Sequence, residues 1–336
     1  MATIFGTSGR DVLLGTPEDD LIKGFGGNDT LEGIAGNDTM HGGDSFDFVL
    51  GGAGNDQLYG GAGYDELYGH SGDDRIYGGD DDDFLFGGAG TDKLAGGAGE
   101  DAVDGGAGED TLYGGGGDDG LDGGSGDDTV SGGDGDDELA GGVGYNTLYG
   151  DGGDDVIIGT GILDTIEGGD GDDVLDATGL TFFGALRGGN GDDVLIGSNA
   201  DGDFMNGGSG SDFYRPGNGN DVINDIGDFP NGEERDVFLF VAPEAGGFGQ
   251  DLLVNFAIGY DQLRFDGYTA ADVTITTTVI PLDIDDPPDG IVDYTEIDWQ
   301  FTFTDGSSLF LVTLEEGAPV SGRDYAPIVG QDYLFV

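Results

Sequence analysis

Aspartate recurs every nine residues through the first half of the chain. Counted in nines from Gly6, the frame holds without insertion to Asp176 and gives 19 consecutive repeats. Position 6 of the repeat is Asp in 18 of them, and Asn146 is the single substitute. Carboxylate oxygens are hard ligands that suit Ca²⁺. Such a regular series of carboxylates predicts many cation sites along the chain. Because pairs of carboxylates occur throughout the repeats, their presence does not indicate a catalytic site.

The other fixed positions of the repeat describe the backbone that must position these carboxylates. Position 1 is Gly in all 19 repeats, position 4 is Gly in 15, and position 8 is Leu, Ile, Val or Met in all 19. The Gly-rich positions 1 to 6 predict a turn with positive φ. Positions 7 to 9 predict a short strand whose position 8 faces a core. Two nonapeptides then make one coil of 18 residues.

Stacked coils of this kind form two parallel sheets around a thin core. The expected fold is therefore all-β, a parallel β-roll (β-helix solenoid) of stacked 18-residue coils with a C-terminal β-meander cap. One aliphatic side chain per nine residues offsets little of the entropy of ordering so much Gly. The stacked carboxylates also repel each other, so we expect folding and cation binding to be a single equilibrium.

The composition excludes several classes of partner and site. The chain has 70 acidic residues, 9 basic residues and no cysteine, which gives a formal net charge of −61. Nucleic acid and anionic membranes are disfavoured partners, because phosphate binding needs a basic surface. The absence of Cys excludes disulfides and thiolate metal sites. Ca²⁺ is the cofactor that this composition favours.

The repeat G-G-x-G-x-D-x-U-x, with U a large aliphatic residue, resembles the RTX (haemolysin-type calcium-binding) nonapeptide of exported bacterial proteins. The match is strict over residues 6–176 and looser over residues 188–224. The resemblance implies that each Ca²⁺ lies between two loops on the same edge of the roll, one coil apart. The position-6 Asp of both loops and backbone carbonyls of positions 1 to 4 would bind it. Asp56 would share an ion with Asp74, and Asp65 with Asp83.

The resemblance thus implies up to about one ion per loop and at most 17 in the regular repeats. The aspartates expected to bind metal are Asp29, Asp38, Asp47, Asp56, Asp65, Asp74, Asp83, Asp92, Asp101, Asp110, Asp119, Asp128, Asp137, Asp155, Asp173, Asp193 and Asp212. The glycines expected to contribute are Gly52, Gly54, Gly61, Gly63, Gly88, Gly90, Gly97, Gly99, Gly106, Gly108, Gly115, Gly117, Gly124 and Gly126.

Some loops depart from the pattern. The first loops, around Thr7, Pro17 and Phe25, lack the full set of glycines and are expected to form an end cap. Asn146 removes a charge from its site. Loop 159–164 places Ile and Leu where Gly and a polar residue belong, so we expect a weak or empty site there.

Three segments follow from these patterns: a regular roll over residues 1–176, irregular terminal repeats over 177–224, and a C-terminal β cap over 225–336. The cap is expected to contain meander strands near 273–280, 297–304 and 308–314. Residues 285–296 have EF-hand spacing, but Pro287 occupies a ligand position, so an acidic hairpin loop is the favoured interpretation.

Two features bear on localisation. Residues 1–7 lack the basic and apolar regions of a Sec-type signal. The C-terminal residues Asp332 to Val336 resemble the type I secretion signal of RTX proteases and lipases, and a final edge strand is the alternative. Because cytosolic Ca²⁺ is scarce, we expect a secreted protein that folds outside the cell or at its surface.

Outward-facing side chains form columns with 18-residue spacing. Phe48, Leu50, Tyr68, Phe84 and Phe86 predict an apolar stripe, which would be either a surface for a partner or for self-association, or simple cross-strand stacking. A second column consists of Thr111, Thr129, Thr147 and Thr165. High β-propensity explains these threonines more simply than the ordering of water or ice does.

Catalytic motifs are missing from the sequence. The two histidines, His41 at the end of a predicted strand and His70 in a predicted turn, belong to no H-E-x-x-H motif, and no G-x-S-x-G occurs. We therefore expect a non-enzymatic, calcium-binding structural, surface or interaction protein. The alternatives are a binding and secretion module of a toxin, or an exoenzyme acting on polysaccharide. The cations available to that last class are Arg187, Arg215, Arg235, Arg264 and Arg323.

Overall fold

The computed structural model describes residues 1–224, 235–241, 250–254, 262–266, 273–282, 294–303, 308–316 and 333–335. The elements in these ranges are strands, and no helix among them could cross a membrane. The chain divides into two compact units, Met1–Asp173 and Val174–Val336, which are taken in turn. Residues 285–293 of the predicted hairpin loop, Arg323 and the terminal residues Asp332 and Val336 lie outside the described residues, whereas residues 294–296 of that loop belong to a strand.

The first unit is a parallel β-roll in which successive strands alternate between two sheets. Leu58 lies opposite Ile76, and Ile76 opposite Leu94, so each strand pairs with strands 18 residues away on either side. One sheet contains β1 (Thr3–Phe5), β3 (Leu21–Gly26), β5 (Thr39–Asp44), β7 (Gln57–Ala62), β9 (Arg75–Asp80), β11 (Lys93–Ala98), β13 (Thr111–Gly116), β15 (Thr129–Asp134), β17 (Thr147–Gly152) and β19 (Thr165–Asp170).

The other sheet of this unit contains β2 (Val12–Leu14), β4 (Thr30–Ala35), β6 (Phe48–Ala53), β8 (Glu66–Ser71), β10 (Phe84–Ala89), β12 (Ala102–Ala107), β14 (Gly120–Asp122), β16 (Glu138–Ala140) and β18 (Val156–Ile158). Its strands are again parallel and one coil apart, as in the pairing of Leu85 with Val103. The predicted 18-residue coil and the all-β solenoid are therefore confirmed.

The core consists of the position-8 side chains. All 18 of them in this unit, from Leu13 to Ile166, are buried, and the most exposed, Leu13, is only 9% exposed. Within each sheet, each lies beside its counterpart one coil along, so the core consists of two columns of aliphatic side chains, one from each sheet. This arrangement confirms the predicted thin core.

The strands are longer than the sequence suggested. From β3 to β13 each strand has six residues, because pairing continues through positions 1 to 3 of the next repeat. Gly52 and Ala53, for example, pair with His70 and Ser71. The expectation that His41 ends a strand and that His70 lies in a turn was therefore wrong, since both lie within strands. Backbone hydrogen bonds to the neighbouring coils keep these residues in strands. This holds even at His70, whose φ of 74° is typical of a turn.

Within the second unit, parallel pairing occurs with less regular spacing. Its strands are β20 (Val174–Asp176), β21 (Ala185–Asn190), β22 (Val194–Ile196), β23 (Phe204–Ser209), β24 (Phe213–Arg215), β25 (Val222–Asn224), β26 (Val237–Val241), β27 (Gln250–Val254), β28 (Gln262–Asp266), β29 (Val273–Leu282), β30 (Tyr294–Phe303), β31 (Ser308–Glu316) and β32 (Tyr333–Phe335). Phe204 pairs with Val222, and Val222 with Leu252, so the interval grows from 18 to 30 residues.

The predicted meander is present in this unit. Strands β29, β30 and β31 are antiparallel neighbours, and β31 adds in parallel to β27. The last strand, β32, lies beside β28. Residues 333–335 thus form a strand, and a secretory role for the C-terminal residues stays a prediction.

Candidate metal sites

The position-6 aspartates form continuous buried columns along the two edges of the roll. Each position-6 aspartate from Asp20 to Asp173 is at most 3% exposed. One carboxylate oxygen, Oδ1, accepts a hydrogen bond from the backbone of the aspartate one coil earlier. Asp56 N–H donates to Asp74 Oδ1 at 2.7 Å, and Asp65 N–H to Asp83 Oδ1 at 2.8 Å. The structure thus brings together the neighbours that the sequence paired.

The second oxygen of these carboxylates points into the loops and is buried without a hydrogen-bond partner in the described residues. This holds for Oδ2 of Asp29, Asp38, Asp47, Asp56, Asp65, Asp74, Asp83, Asp92, Asp101, Asp110, Asp119, Asp128, Asp137, Asp155, Asp221 and Asp251. An unpaired buried polar atom is costly, and a charged one more so. One such atom in loop after loop indicates that the loops are built to hold something positive.

The surroundings of these oxygens are peptide carbonyls. An ideal Cβ placed on Gly51 would lie 2.5 Å from Asp56 Oδ2 and 3.0 Å from the carbonyl oxygen of Gly69 in the next coil. At position 4, the carbonyl oxygen of Gly36 points at Gly54, where a Cβ would overlap it. Glycine at these positions therefore allows loop backbones to stack in direct contact and to direct oxygens toward the next coil.

This donor set fits Ca²⁺, because carboxylate and peptide oxygens are its usual ligands in proteins. Within the described ranges, no three His, Cys, Asp or Glu side chains converge on one point. A cation held by the aspartate columns would therefore need further oxygen ligands, and the peptide carbonyls of the loops are available for this role. The unbonded Oδ2 atoms of the aspartates would supply the charge, and position-1 carbonyls, such as that of Gly69, border the same space beside the position-1 glycine.

Burial makes the protein's own carboxylates hard to ionise. Desolvation, together with the charges of Asp47 and Asp83 one coil to either side, raises the pKa of Asp65 to about 8. The same causes raise the pKa of Asp92 to about 7. A bound cation would therefore favour full ionisation of the columns near neutral pH.

A few loops satisfy the carboxylate internally. Asp20 Oδ2 accepts hydrogen bonds from Thr16 N–H at 2.7 Å and from Thr16 Oγ1 at 2.8 Å. The pKa of Asp20 is lowered, first by the Ala2 N–H and then by these two donors. Asp203 Oδ2 accepts in the same way from Ser198 N–H and Oγ. A hydroxyl residue at position 2 thus replaces part of what a cation would supply.

The two expected weak sites also have distinct surroundings. Asp164 Oδ2 accepts a 3.4 Å hydrogen bond from Gly161 N–H within its own loop. Asn146 keeps the column's backbone contact, because its Oδ1 accepts from Asp128 N–H at 3.0 Å, while its Nδ2 donates to the Gly142 carbonyl. Reduced occupancy at these loops stays a prediction.

Two aspartates beyond the predicted set have the same environment. Asp221 and Asp251 are 1% and 0% exposed, and Asp221 N–H donates to Asp251 Oδ1 at 3.0 Å. Burial raises their pKa values to about 7 and about 8. Both end a Gly-x-Asp triplet in the sequence, which was the available signal. The 30-residue interval between them concealed that they occupy one column.

Comparison with known proteins agrees with this geometry. The family model of the RTX calcium-binding nonapeptide repeat matches residues 5–33, 32–67, 65–94, 95–130, 131–161, 163–179 and 187–223. A search of curated proteins finds no match. Among solved structures, the extracellular lipase LipA from Serratia marcescens aligns with 58% of this chain and 38% of its own, at 20% identity and a TM-score of 0.19.

The chain thus spans well under half of that lipase, and a likeness at this TM-score carries no argument about activity. The family match, in contrast, covers more than half of the sequence and coincides with the buried aspartate columns. The chain belongs to the family of proteins built from RTX calcium-binding nonapeptide repeats.

Proposed function

We propose that this chain is a secreted protein whose β-roll folds when Ca²⁺ binds outside the cell, and that it acts as a structural, surface or interaction protein rather than as an enzyme. The observation that carries the proposal is the columns of buried aspartates whose Oδ2 atoms have no partner among the described residues. No catalytic motif accompanies them in the sequence.

Each ion would be held between successive loops of one edge. Asp56 and Asp74 would supply charged oxygens to one such site, with the position-1 carbonyl of Gly69 beside Asp56 Oδ2. Bound Ca²⁺ supplies the positive charge that lets both carboxylates ionise. Because interior aspartates have neighbours in both directions, each would serve two sites, and binding along an edge would be cooperative.

This dependence on Ca²⁺ supports a site of action outside the cell. Extracellular calcium modules typically bind in the range of about 10⁻⁴–10⁻³ M, which cytosolic Ca²⁺ does not reach. The chain would then stay unfolded until export, as a route that threads unfolded chains requires. The resemblance of the C-terminal residues to a type I secretion signal supports the same route.

The test is a Ca²⁺ titration followed by far-UV circular dichroism, with Mg²⁺ as the control cation. A cooperative change from coil to β-structure with Ca²⁺ and not with Mg²⁺ is expected, because Mg²⁺ demands a near-ideal octahedral site and releases water reluctantly. A spectrum that is already rich in β-structure in excess chelator near neutral pH would refute metal-coupled folding.

A further inference from the structure

The two outer faces of the first unit differ in charge. We define the first face as the outward residues at positions 7 and 9 of β1, β3, β5 and the following odd strands to β19. It contains one acidic residue, Glu167, and three cations, Lys23, Arg75 and Lys93. The second face, the same positions of β2 to β18, contains no cation and five acidic residues, namely Glu32, Glu66, Asp104, Asp122 and Glu138.

Two of the cations on the first face are direct neighbours. Arg75 pairs with Lys93 across β9 and β11, about 4.8 Å apart in backbone spacing, and both side chains are exposed. Neither forms an ion pair with any described residue, although the chain has 70 acidic residues. Like charges side by side on adjacent strands are unfavourable, so their position indicates an anionic ligand.

A stack of aromatic rings runs beside these cations. His41 stacks on Tyr59 with ring centroids 4.6 Å apart, and Tyr59 on Tyr77 at 5.1 Å, with interplanar angles of 9°. The stack stops at Ala95, which follows Tyr77 in the column, and Tyr113 comes next. The methyl group of Ala95 therefore forms the floor of a slot between Tyr77, 40% exposed, and Tyr113, 50% exposed.

The width of this slot selects for a type of ring. Tyr77 and Tyr113 are two strand spacings apart, or roughly 9.6 Å. A flat ring in van der Waals contact with both tyrosines, at about 3.5–4.0 Å on each side, would need a separation of only roughly 7–8 Å. The additional space suits a puckered, saturated ring better than a flat aromatic one. Arg75 and Lys93, two residues back along β9 and β11, lie at one side of the slot.

We propose that the slot between Tyr77 and Tyr113 binds a carboxylated sugar ring of an anionic polysaccharide, with Arg75 and Lys93 pairing with the carboxylate. The tyrosines would stack on the ring as their phenol groups hydrogen-bond its hydroxyls. The net negative charge does not prevent this. The carboxylates nearest to these cations along the strands are the position-6 aspartates that Ca²⁺ would neutralise, and more distant charges are screened beyond about 8 Å at physiological salt. The inference rests on the proposed function only in requiring a folded roll.

The test is isothermal titration calorimetry of the full chain in Ca²⁺ with trigalacturonate, and with maltotriose as a neutral trisaccharide. Ala95→Tyr continues the aromatic stack and fills the slot without adding charge, and the double variant Arg75→Gln with Lys93→Gln removes the cations. Lys23→Gln is the matched control, because it removes one cation of the same face about 14 Å from Tyr77, three strands away.

Trigalacturonate binding at least 10-fold tighter than maltotriose is expected, with a loss of at least 10-fold in each slot variant and less than 2-fold in Lys23→Gln. Absent binding to the wild-type roll, binding that survives Ala95→Tyr and the double substitution, or equal binding of both sugars would overturn the proposal. Circular dichroism of each sample separates this result from failure of the proposed function. A roll that is β-rich in chelator near neutral pH would refute metal-coupled folding, and the calorimetry would still report on the slot.

Discussion

Asp74→Asn should stabilise the calcium-free roll and destabilise the calcium-loaded one. Asp74 lies inside a column, 1% exposed, where its Oδ1 accepts from Asp56 N–H and its Oδ2 has no partner among the described residues. Asn keeps the accepting oxygen and replaces Oδ2 by an amide group. Asn146 shows that the column tolerates this change, because its Nδ2 finds the Gly142 carbonyl.

The two opposing effects have calculable sizes. In chelator, burial raises the pKa of Asp74 from 3.8 to about 6. At 1.36 kcal/mol per pKa unit, removing that charge relieves at most about 3 kcal/mol above pH 6, and solvent near the edge lowers the figure. In Ca²⁺ at 100 times its dissociation constant, each site contributes about 2.7 kcal/mol. Loss of the two sites that include Asp74 would then cost about 5 kcal/mol.

Asp73→Asn is the matched control, because it removes the same charge from the next residue of the same loop. Asp73 is exposed, and its Oδ1 accepts from Thr91 N–H, a bond that Asn can also accept. Asn37 and Asn55 already occupy the equivalent position in the two preceding coils. We expect Asp73→Asn to change stability by no more than about 0.5 kcal/mol in either condition.

Urea unfolding at saturating Ca²⁺ measures the first effect, and folding induced by trimethylamine oxide in chelator measures the second, since this osmolyte favours burial. Asp74→Asn should need less urea to unfold in Ca²⁺ and less osmolyte to fold in chelator. A change of the same sign in both conditions, or an equal effect of Asp73→Asn, would refute the assignment of Asp74 Oδ2 as a ligand oxygen.

Three further outcomes follow from the same structure. In chelator, the pKa of Asp65 is raised from 3.8 to about 8, so the contribution of this carboxyl to the stability of the roll is fully present below about pH 4 and is lost as pH rises through 8. Circular dichroism in chelator should therefore show β-structure at acid pH that disappears at alkaline pH. A β-structure signal that grows with pH would contradict this. Gly90→Ala should lower the free energy of unfolding in urea by about 1–3 kcal/mol or more, because φ is 143° and a Cβ would overlap the Gly72 carbonyl. Gly116→Ala is the control and should be neutral or stabilising, because a Cβ there would have no atom within 4 Å. Leu112→Ala should cost about 2–5 kcal/mol at saturating Ca²⁺, since the side chain is fully buried, and a loss below 1 kcal/mol would show that the columns of aliphatic side chains contribute little.

The nonapeptide pattern was sufficient to predict the coil, the core and most of the aspartate columns, because each depends on one residue type at one phase. The residues equivalent to Leu58 lie in the core, and the aspartates equivalent to Asp56 lie in the buried columns. The strand ends were not predictable in this way. Glycines at positions 1 and 2 indicate a turn locally, yet Gly52 stays in a strand because coils above and below pair with it. Asp251 was missed for a related reason, since the spacing changes while the column continues.

The repeat also separates folding from recognition. Positions 1, 2, 4 and 6 form the loops that we propose bind metal, and position 8 forms the core, so each is constrained by the coils on either side. Positions 7 and 9 point outward and are free of both tasks. Different side chains at these positions give each face its own charge while the aspartate columns stay the same. One face carries Asp104 beside Asp122, and the other carries Arg75 beside Lys93. Because the loops hold the strands at a fixed spacing, a side chain change at these positions alters the ligand that a face can bind while leaving the roll intact. Specificity in this chain is therefore expected to reside at positions 7 and 9, and the tyrosine slot is the place where those positions combine charge, ring faces and a gap of defined width.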